Sequence, residues 1–547
     1  MKRKHLIIWA LIPGIFGLVA FTQSDKYFDI TRNLDIFSSL YKEVNKYYVD
    51  EVNPNKMIKT GIDAMLEELD PYTVYIPEDD IEDYRTNATG QYGGIGIQSN
   101  KINGRHLVLN LYKESPAMKA GMKIGDEIVA IDEQSVVTLS DEEAGNLLKG
   151  QSGSKVKIQV LRQGKEKYDF EIERQKISIP NISYQTMLGD DIGYFKLSEF
   201  TRSAGDDVIG AVNELKEKGA KKLIIDLRGN PGGLLNQAVK ISNLFVPEGS
   251  LIVQTKAKTK ASSFSYSAEK EPMDLDIPIA VLIDGKSASA SEIVSGVIQD
   301  YDRGVIVGQN SFGKGLVQVA RPLTFNSQLK VTTAKYYIPS GRCIQELDYV
   351  HKNADGSAST IADSLRKEFK TQNGRPVFEG KGIKPDVNTP LSRKSSYTKN
   401  LLESGLLFDY ASEYYYSHQK IDSASEFQLN DEDYADFVSW IGDKSWKNDT
   451  RVEKAVDLLK KAAADDKAYK DLVKEIDQIN NAIEEVKGTG LMSFKEEIKS
   501  ELEKEIIKRY YFTSGVIEAT LSHDVAVDSA IYVLNTPSRY RTILGNK

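Results

Sequence analysis

The chain has 547 residues, a net charge of -8 and 40% hydrophobic residues. This length predicts several domains, and the composition is typical of a globular protein rather than a disordered or polytopic one. The negative charge argues against a nucleic-acid partner, because phosphate binding needs a concentrated basic surface. The one cysteine, Cys343, excludes a disulfide within the chain and a multi-cysteine zinc site. We interpret it as a small packing side chain rather than as a nucleophile.

The N-terminus has the layout of an export signal. Basic residues at positions 2–4 precede an uncharged run over residues 6–23. This layout predicts a signal peptide or signal anchor in residues 1–24 and an exported remainder in the periplasm or cell envelope. The run is short for a membrane-spanning helix and contains Pro13 and Gly14, so cleavage and retention both stay open. A buried N-terminal helix is the alternative.

Two smaller regions come next in the chain. Residues 27–90 are predicted to be helical, because apolar residues recur at helical spacing from Ile36 to Tyr48. Residues 91–176 have short strand patterns and two short helical patterns, which predicts a compact binding module. The predicted strands are 107–109, 127–131 and 156–160, and the predicted helices are 115–121 and 141–148.

The last two regions differ in class. Residues 177–389 alternate apolar strands with helices, which predicts a largely parallel, buried sheet. The predicted strands are 192–195, 222–226, 279–283 and 305–307, and the predicted helices are 204–218 and 291–301. Residues 390–547 are predicted to be a helical extension, with helical patterning over 452–486 and 493–509. Long amphipathic helices need partners, which favours oligomerisation or regulation over substrate docking.

The positions of the five histidines restrict the chemistry. None lies between His106 and His351, so a Ser-His-Asp triad within the α/β region is excluded. No His-Glu-x-x-His motif and no cluster of histidine and cysteine is present, so no metal site is predicted. Residues 308–315 nearly match a phosphate-binding loop, but Gly315 replaces the hydroxyl residue and a strand pattern follows. The sequence therefore disfavours an NTPase.

Lys314 has a second use, as a general base. Burial can lower the pKa of a lysine by several units, and a neutral amine can deprotonate a serine hydroxyl. Ser289 lies where a predicted strand meets a predicted helix, whose free N–H groups can stabilise an oxyanion. Ser287 and Ser291 compete with it, and ordinary helix capping is the plain alternative.

A glycine-rich turn over residues 226–234 also joins a predicted strand to a predicted helix. Parallel sheets bind ligands at such strand ends. Two turns at one edge of the sheet could supply two oxyanion donors, although a plain tight turn is the simpler interpretation.

Taken together, these segments resemble the carboxyl-terminal processing peptidases, or tail-specific proteases, over roughly residues 30–388. The motifs are Leu69-Asp70-Pro71-Tyr72, residues 226–234, Ser287-Ala288-Ser289-Ala290-Ser291-Glu292-Ile293, residues 312–318, residues 337–342 and residues 382–387. The resemblance implies a ClpP/crotonase-like protease core with an inserted PDZ domain. Relatives often have serine at the position of Cys343, and residues 390–547 carry no motif of the family.

The resemblance also implies the roles of the site residues. Ser289 is expected to be the nucleophile, Lys314 the base and Gln318 the residue that orients the lysine. The oxyanion hole is expected from the amides of Ala290 and of Gly232 or Gly233. Asp300 matches an aspartate of the family and is expected to be structural.

The PDZ domain is expected to add a substrate's C-terminus as an extra strand. Its carboxylate loop would be Gly94-Ile95-Gly96-Ile97, with an apolar terminal residue between Ile95 or Ile97 and the helix from Asp141. In the family this module also gates the active site.

The predicted function is therefore a serine endopeptidase that needs no metal, nucleotide or other cofactor. Its expected substrates are exported proteins with exposed apolar C-termini, and its expected membrane contact is through the N-terminal segment alone. Homo-oligomers are compatible with the sequence. A catalytically inactive PDZ scaffold or adaptor is the alternative function.

Overall fold

The computed structural model describes residues 27–360, 364, 366–391, 393–442, 444, 451–465 and 472–545. The predicted export signal in residues 1–24 lies outside them. Two compact units form: one holds the described residues up to Tyr75 together with Ala320–Val331, and the other holds the rest. Among the described helices, none has the length and apolar character needed to cross a membrane.

The first unit begins with two helices, α1 (27–47) and α2 (Pro54–Glu67). Asn53 caps α2 by accepting a hydrogen bond from the Lys56 N–H, and Pro54 occupies the first helical turn. The apolar residues that predicted α1, such as Leu40, remain largely exposed. Strand β1 (Val74–Ile76) and helix α3 (Ile81–Thr89) follow, so a short strand interrupts the region predicted as helical over 27–90.

A small β-rich module comes next. Its elements are β2 (Gln91–Gly94), β3 (Ile97–Ile102), β4 (Arg105–Leu111), α4 (Pro116–Ala120), β5 (Glu127–Ile131), β6 (Gln134–Ser135), α5 (Asp141–Leu148), β7 (Lys155–Arg162), β8 (Glu166–Glu173) and β9 (Gln175–Ser178). The main sheet has the order β3-β4-β5-β7-β8, and β2 pairs with β9. The two predicted helices are confirmed, and β3 lies at an edge of the sheet beside α5.

The α/β region contains β10 (Ile182–Leu188), β11 (Ile192–Leu197), α6 (Ala204–Glu217), β12 (Lys222–Asp226), α7 (Leu235–Asn243), β13 (Leu251–Ala257), β14 (Phe264–Ser267), β15 (Ile279–Ile283), α8 (Ala290–Asp300), β16 (Val305–Gly308), β17 (Leu316–Pro322), β18 (Gln328–Tyr337), β19 (Leu347–Lys352), β20 (Ala358–Thr360), β21 (Glu368–Lys370), β22 (Pro376–Phe378) and β23 (Val387–Asn388). The central sheet has the order β10-β11-β12-β15-β16-β23. Only β10 is antiparallel to its neighbour, so the predicted parallel sheet is confirmed.

The C-terminal region is helical, as predicted. It contains α9 (Ser396–Glu403), α10 (Leu406–Ser417), α11 (Asp431–Gly442), α12 (Arg451–Asp465), α13 (Val473–Ser493), α14 (Lys495–Leu521), α15 (Val525–Leu534) and α16 (Pro537–Ile543). The helical pattern over residues 452–486 corresponds to two helices, α12 and α13, rather than one.

The last helices belong to the core of the central sheet. One face of the sheet packs against α6, α7 and α8, with Leu223 and Ile225 of β12 pointing to that side. Ile224 of the same strand points to the other face, where Val527 and Ala530 of α15 cover it. Alternate residues of a strand face opposite sides of a sheet, so every buried strand is apolar on both faces. The C-terminal region therefore completes the core of the central sheet.

The C-terminal helices also hold the β-rich module. Phe408 of α10 is buried in the apolar core of that module. Beside it, both oxygens of the Asp409 carboxylate accept hydrogen bonds from Arg105 of β4, at 2.8 and 3.0 Å. The buried Arg509 of α14 donates to the Phe408 carbonyl and lies over its ring. These contacts attach the module to α10 and α14.

Candidate active site

Ser289 occupies the turn between β15 and α8. Its backbone has φ 55° and ψ -110°, a left-handed conformation that costs a non-glycine residue of order 1–3 kcal/mol. The preceding turn is fixed by Asp284, whose carboxylate accepts hydrogen bonds from the N–H groups of Lys286 and Ser287. The strained turn presents a half-buried Ser289 at the N-terminus of α8. Such a geometry is typical of an exposed nucleophile above a parallel sheet.

The two competing serines are buried and already bonded. The Ser287 hydroxyl donates to the Leu227 carbonyl at 2.8 Å, and the Ser291 hydroxyl donates to the Asn230 carbonyl at 3.0 Å. Both side chains are fully buried. Of the three serines, only Ser289 has a side chain that a substrate could reach.

Glu292 joins the turn that carries Ser289 to the loop that carries Lys314. One of its carboxylate oxygens accepts from the N–H groups of Ser289 and Lys314, at 2.8 and 2.9 Å. The other accepts from the Ser311 hydroxyl and from the Gly313 N–H. Burial raises the pKa of Glu292 to about 7, although these four donors favour its charged form.

A second bridge connects the same two backbone segments. The hydroxyl of the buried Tyr336 donates to the carbonyl oxygens of Ser289, at 3.1 Å, and of Lys314. Lys314 is half-buried, and β17 begins two residues after it, at Leu316. Gln318, four residues further along, donates from its amide to the Thr332 hydroxyl at 3.1 Å. These bonds hold the backbone segments of Ser289 and Lys314 close together, and Gln318 lies on β17.

The glycine-rich turn over residues 226–234 lies against the turn that carries Ser289. The Asn230 carbonyl accepts from the Ala288 N–H at 3.0 Å, and the Asn230 amide oxygen accepts from the Gly232 N–H at 2.8 Å. The Gly232 amide is therefore already engaged. Among the backbone hydrogen bonds of the described residues, none is donated by the N–H group of Gly233 or of Ala290. Of the two glycines predicted for an oxyanion hole, Gly233 is thus the one whose N–H group is not engaged by Asn230.

Replacing Gly232 by alanine should disrupt this contact. A β-carbon there would lie 2.6 Å from the Ala288 carbonyl and 2.9 Å from the Ser289 β-carbon, at a φ of +97°. We expect Gly232→Ala to lower kcat by about 100-fold, since displacing one oxyanion donor costs about that much. Gly249→Ala is the matched control, because Gly249 also has positive φ but faces open space in a separate turn. The kcat values are measured from initial rates of peptide cleavage. Equal values for the two variants would contradict a close contact between Gly232 and the turn that carries Ser289.

An ion network supports the same turn. Burial alone would raise the pKa of Asp226, but Arg228 and Lys196 lower it to about 2. The Tyr194 hydroxyl also donates to the Asp226 carboxylate, and burial beside this carboxylate raises the pKa of Tyr194. The Asp226 carboxylate therefore stays charged and anchors the Arg228 side chain.

Three further sequence predictions have structural counterparts. Asp300 forms a fully buried ion pair with Arg342, at 3.0 Å, which agrees with the structural role expected for it. Burial raises the pKa of Cys343, so its thiol is a weak nucleophile. The glycine loop over 308–315 is followed by strand β17 and not by a helix, so it lacks the helix N-terminus of a phosphate site.

The predicted carboxylate loop of the β-rich module connects β2 to β3. Ile95 is only 1% exposed and belongs to the module's core, whereas Ile97 is half-buried at the start of the edge strand β3. Gly96 has a φ of +77° and lies against Ser115, so the loop needs glycine there. Ile97 is therefore the one of the two isoleucines that can contact a ligand beside α5.

Comparison with known proteins identifies three regions of the chain. Residues 191–353 match the model for peptidase family S41, residues 93–173 match a PDZ domain, and residues 397–534 match the C-terminal helical domain of probable PDZ-proteases. A carboxy-terminal-processing protease of Bartonella bacilliformis is 36% identical over 356 residues, which cover 63% of this chain and 81% of that protein.

Two other relatives extend the comparison. A probable CtpA-like serine protease of Staphylococcus aureus is 28% identical over 478 residues, covering 84% of this chain and 94% of the relative. A solved photosystem II D1 C-terminal processing protease has 25% identity and a TM-score of 0.35, covering 64% of this chain and 92% of that one.

The fold and the matched regions define a multidomain α/β serine protease with a PDZ domain and a helical C-terminal domain. The chain belongs to the carboxy-terminal-processing proteases of peptidase family S41. The family resemblance inferred from the sequence is thereby confirmed, and so is the serine protease activity.

The sequence missed the residues that hold the site together. Glu292 lies in one of the family's motifs, but its place three residues after Ser289 is also that of an ordinary capping glutamate. Asn230 and Tyr336 carried no signal of their own, since their partners lie far away in the chain. Only the carboxylate within a segment of small residues could have drawn attention to Glu292.

Proposed function

We propose that this protein is an exported serine endopeptidase with a Ser289–Lys314 catalytic dyad, which captures the C-terminal tails of its substrates in the PDZ domain. One observation carries the dyad: Glu292 and Tyr336 each bond to the backbone of both Ser289 and Lys314. The proposal includes a ClpP/crotonase-like core over residues 177–389, a PDZ domain over 91–176 and export directed by residues 1–24.

The reaction follows from the positions of these groups. Neutral Lys314 removes the proton of the Ser289 hydroxyl as its oxygen attacks the scissile carbonyl carbon. The carbonyl oxygen becomes an oxyanion, which the Ala290 and Gly233 N–H groups stabilise. The lysine proton then passes to the leaving amine, and the acyl-enzyme forms. Water, deprotonated by Lys314, attacks the ester carbonyl, and the Ser289 oxygen regains the proton as the acid product leaves.

Substrate capture is assigned to the edge of the PDZ sheet. Strand β3 pairs with β4 on one side, and α5 lies beside it. An extended tail can therefore add to β3 as a further strand, with its carboxylate at residues 94–97 and an apolar terminal side chain against Ile97. Exported proteins with flexible, apolar C-termini are the proposed substrates, and a homo-oligomer is compatible with the proposal.

A matched pair of proteins tests this function. Residues 25–547 and the same protein with Ser289→Ala are incubated with a poorly folded protein that ends in apolar residues, and fragments are identified by mass spectrometry. We expect cleavage only with Ser289 present, and slower cleavage of a substrate whose tail ends in aspartates. Cleavage by both proteins would exclude Ser289 as the nucleophile. Cleavage by neither, with the tail still bound, would favour a PDZ scaffold.

A further inference from the structure

Arg228 connects the glycine-rich turn to the C-terminal helical domain. One edge of its guanidinium donates to Asp226, with Nε to Oδ1 at 2.9 Å and Nη2 to Oδ2 at 2.7 Å. The remaining nitrogen, Nη1, lies 2.7 Å from Oδ2 of Asp524 and 2.9 Å from Oδ1. Asp524 follows α14 and caps α15, so the pair joins residues far apart in sequence.

This ion pair is partly sheltered from water. The side chains of Arg228 and Asp524 are each 21% exposed, and that of Asp226 is 1% exposed. Burial opposes the charge of Arg228, but Asp226 and Asp524 together raise its pKa above the ordinary value. Both carboxylates therefore act on a guanidinium that stays charged, in a setting where solvent screening is reduced.

The position of Asp524 is itself fixed. Its Oδ1 accepts from the N–H groups of Ala526 and Val527, which is the geometry of a helix N-cap. Helix α15 packs against the central sheet through apolar side chains. The Asp524 carboxylate therefore has a fixed position and can hold the Arg228 side chain in place.

Hydrogen bonds made by backbone groups fix the start of the glycine-rich turn at Arg228 and Gly229. The Arg228 carbonyl accepts from Lys196, and the next amide, of Gly229, donates to Asp284 beside the nucleophile turn. Gly232 and Gly233 follow within the same turn. A backbone segment of five residues therefore joins Arg228 to the Gly233 amide.

We propose that Asp524 is a positioning residue for the oxyanion hole, supplied to the protease core by the C-terminal helical domain. The role rests on the proposed function, because it assumes that the Gly233 amide stabilises the oxyanion. Asp524 touches neither substrate nor nucleophile. Its effect passes through Arg228, and it should appear in the chemical step rather than in substrate binding.

Asp524→Asn tests this role, because asparagine keeps the N-cap and removes only the charge that faces Arg228. We expect kcat to fall about 5-fold with KM unchanged within about 2-fold, a split that marks an interaction used in the transition state. Asp528→Asn is the matched control, since Asp528 is exposed in the first turn of the same helix. Its kcat should stay at the wild-type value.

Testing Asp524→Asn in a second mutant background distinguishes a positioning role of Asp524 from an effect on folding. If Asp524 acts through Arg228, then Asp524→Asn should cause no further loss of kcat in an Arg228→Gln protein. An equal loss in both backgrounds, an unchanged kcat, or a change in KM alone would overturn the proposal. Cleavage by the wild type and its loss in Ser289→Ala report on the proposed function separately, so failure of one inference is not mistaken for failure of the other.

Discussion

Replacing Lys314 by alanine is expected to lower kcat by at least about 10⁴-fold, as much as Ser289→Ala, and the double variant is expected to lose no more. A nucleophile and its base act as one unit, so removing either removes nearly the whole contribution of the pair. Initial rates on a single peptide substrate for the wild type, both single variants and the double variant measure this directly.

Two companion variants define the role of the lysine. Lys314→Arg keeps a positive charge but cannot act as a base, because a guanidinium stays protonated. It should be as inactive as Lys314→Ala. Lys286→Ala is the control, since Lys286 is an exposed lysine in the turn that carries Ser289. An active arginine variant would show that Lys314 acts as a cation and not as the base.

Glu292→Gln is expected to lower kcat by about 100-fold. The carboxylate accepts four hydrogen bonds, two on each oxygen, and an amide would turn an NH₂ group towards two of the donors. A buried donor without an acceptor costs about 1–3 kcal/mol, and about 2.7 kcal/mol corresponds to 100-fold in rate. The glutamine variant should therefore separate the turn of Ser289 from the loop of Lys314. Glu248→Gln, at an exposed glutamate, is the control.

The pH dependence of stability gives the same variant an independent signature. The pKa of Glu292 is about 7 in the folded protein, against 4.5 for an ordinary glutamate. A raised folded pKa means that the group's contribution is fully present below pH 4.5 and is lost as the pH rises through 7. Between pH 5 and pH 8 the wild type should lose up to about 3 kcal/mol of unfolding free energy that Glu292→Gln does not lose. Denaturant unfolding at both pH values measures this difference. An equal change in unfolding free energy for the wild type and Glu292→Gln would contradict it.

Much of the fold could be read from local patterns. The buried strands are continuous apolar runs, and α4 and α5 begin after the capping serines Ser115 and Ser140. The local composition left Ser289 in competition with Ser287 and Ser291, and the prediction of Ser289 with Lys314 rests on the motifs shared with the family. Local sequence could not choose between Gly232 and Gly233, since the choice depends on the Asn230 side chain.

What remained hidden is long-range. The Arg228–Asp524 pair joins positions 296 residues apart. The sequence around either residue does not predict the other as its partner. The burial of Phe408 in the PDZ core is of the same kind. The helical pattern of residues 390–547 predicted helices, but it did not reveal that α15 covers the central sheet.

That cover has a consequence for the order in which the protein can mature. Strands β11, β12, β15 and β16 emerge from the ribosome long before α15, so one apolar face of their sheet stays bare until residues 525–544 have been made. At roughly 5–20 residues per second this interval is on the order of ten seconds or more. During it, the nascent chain carries an unshielded hydrophobic surface. The Arg228–Asp524 pair at the glycine-rich turn also forms only after α15 has been made, so the central sheet and this turn reach their final contacts together.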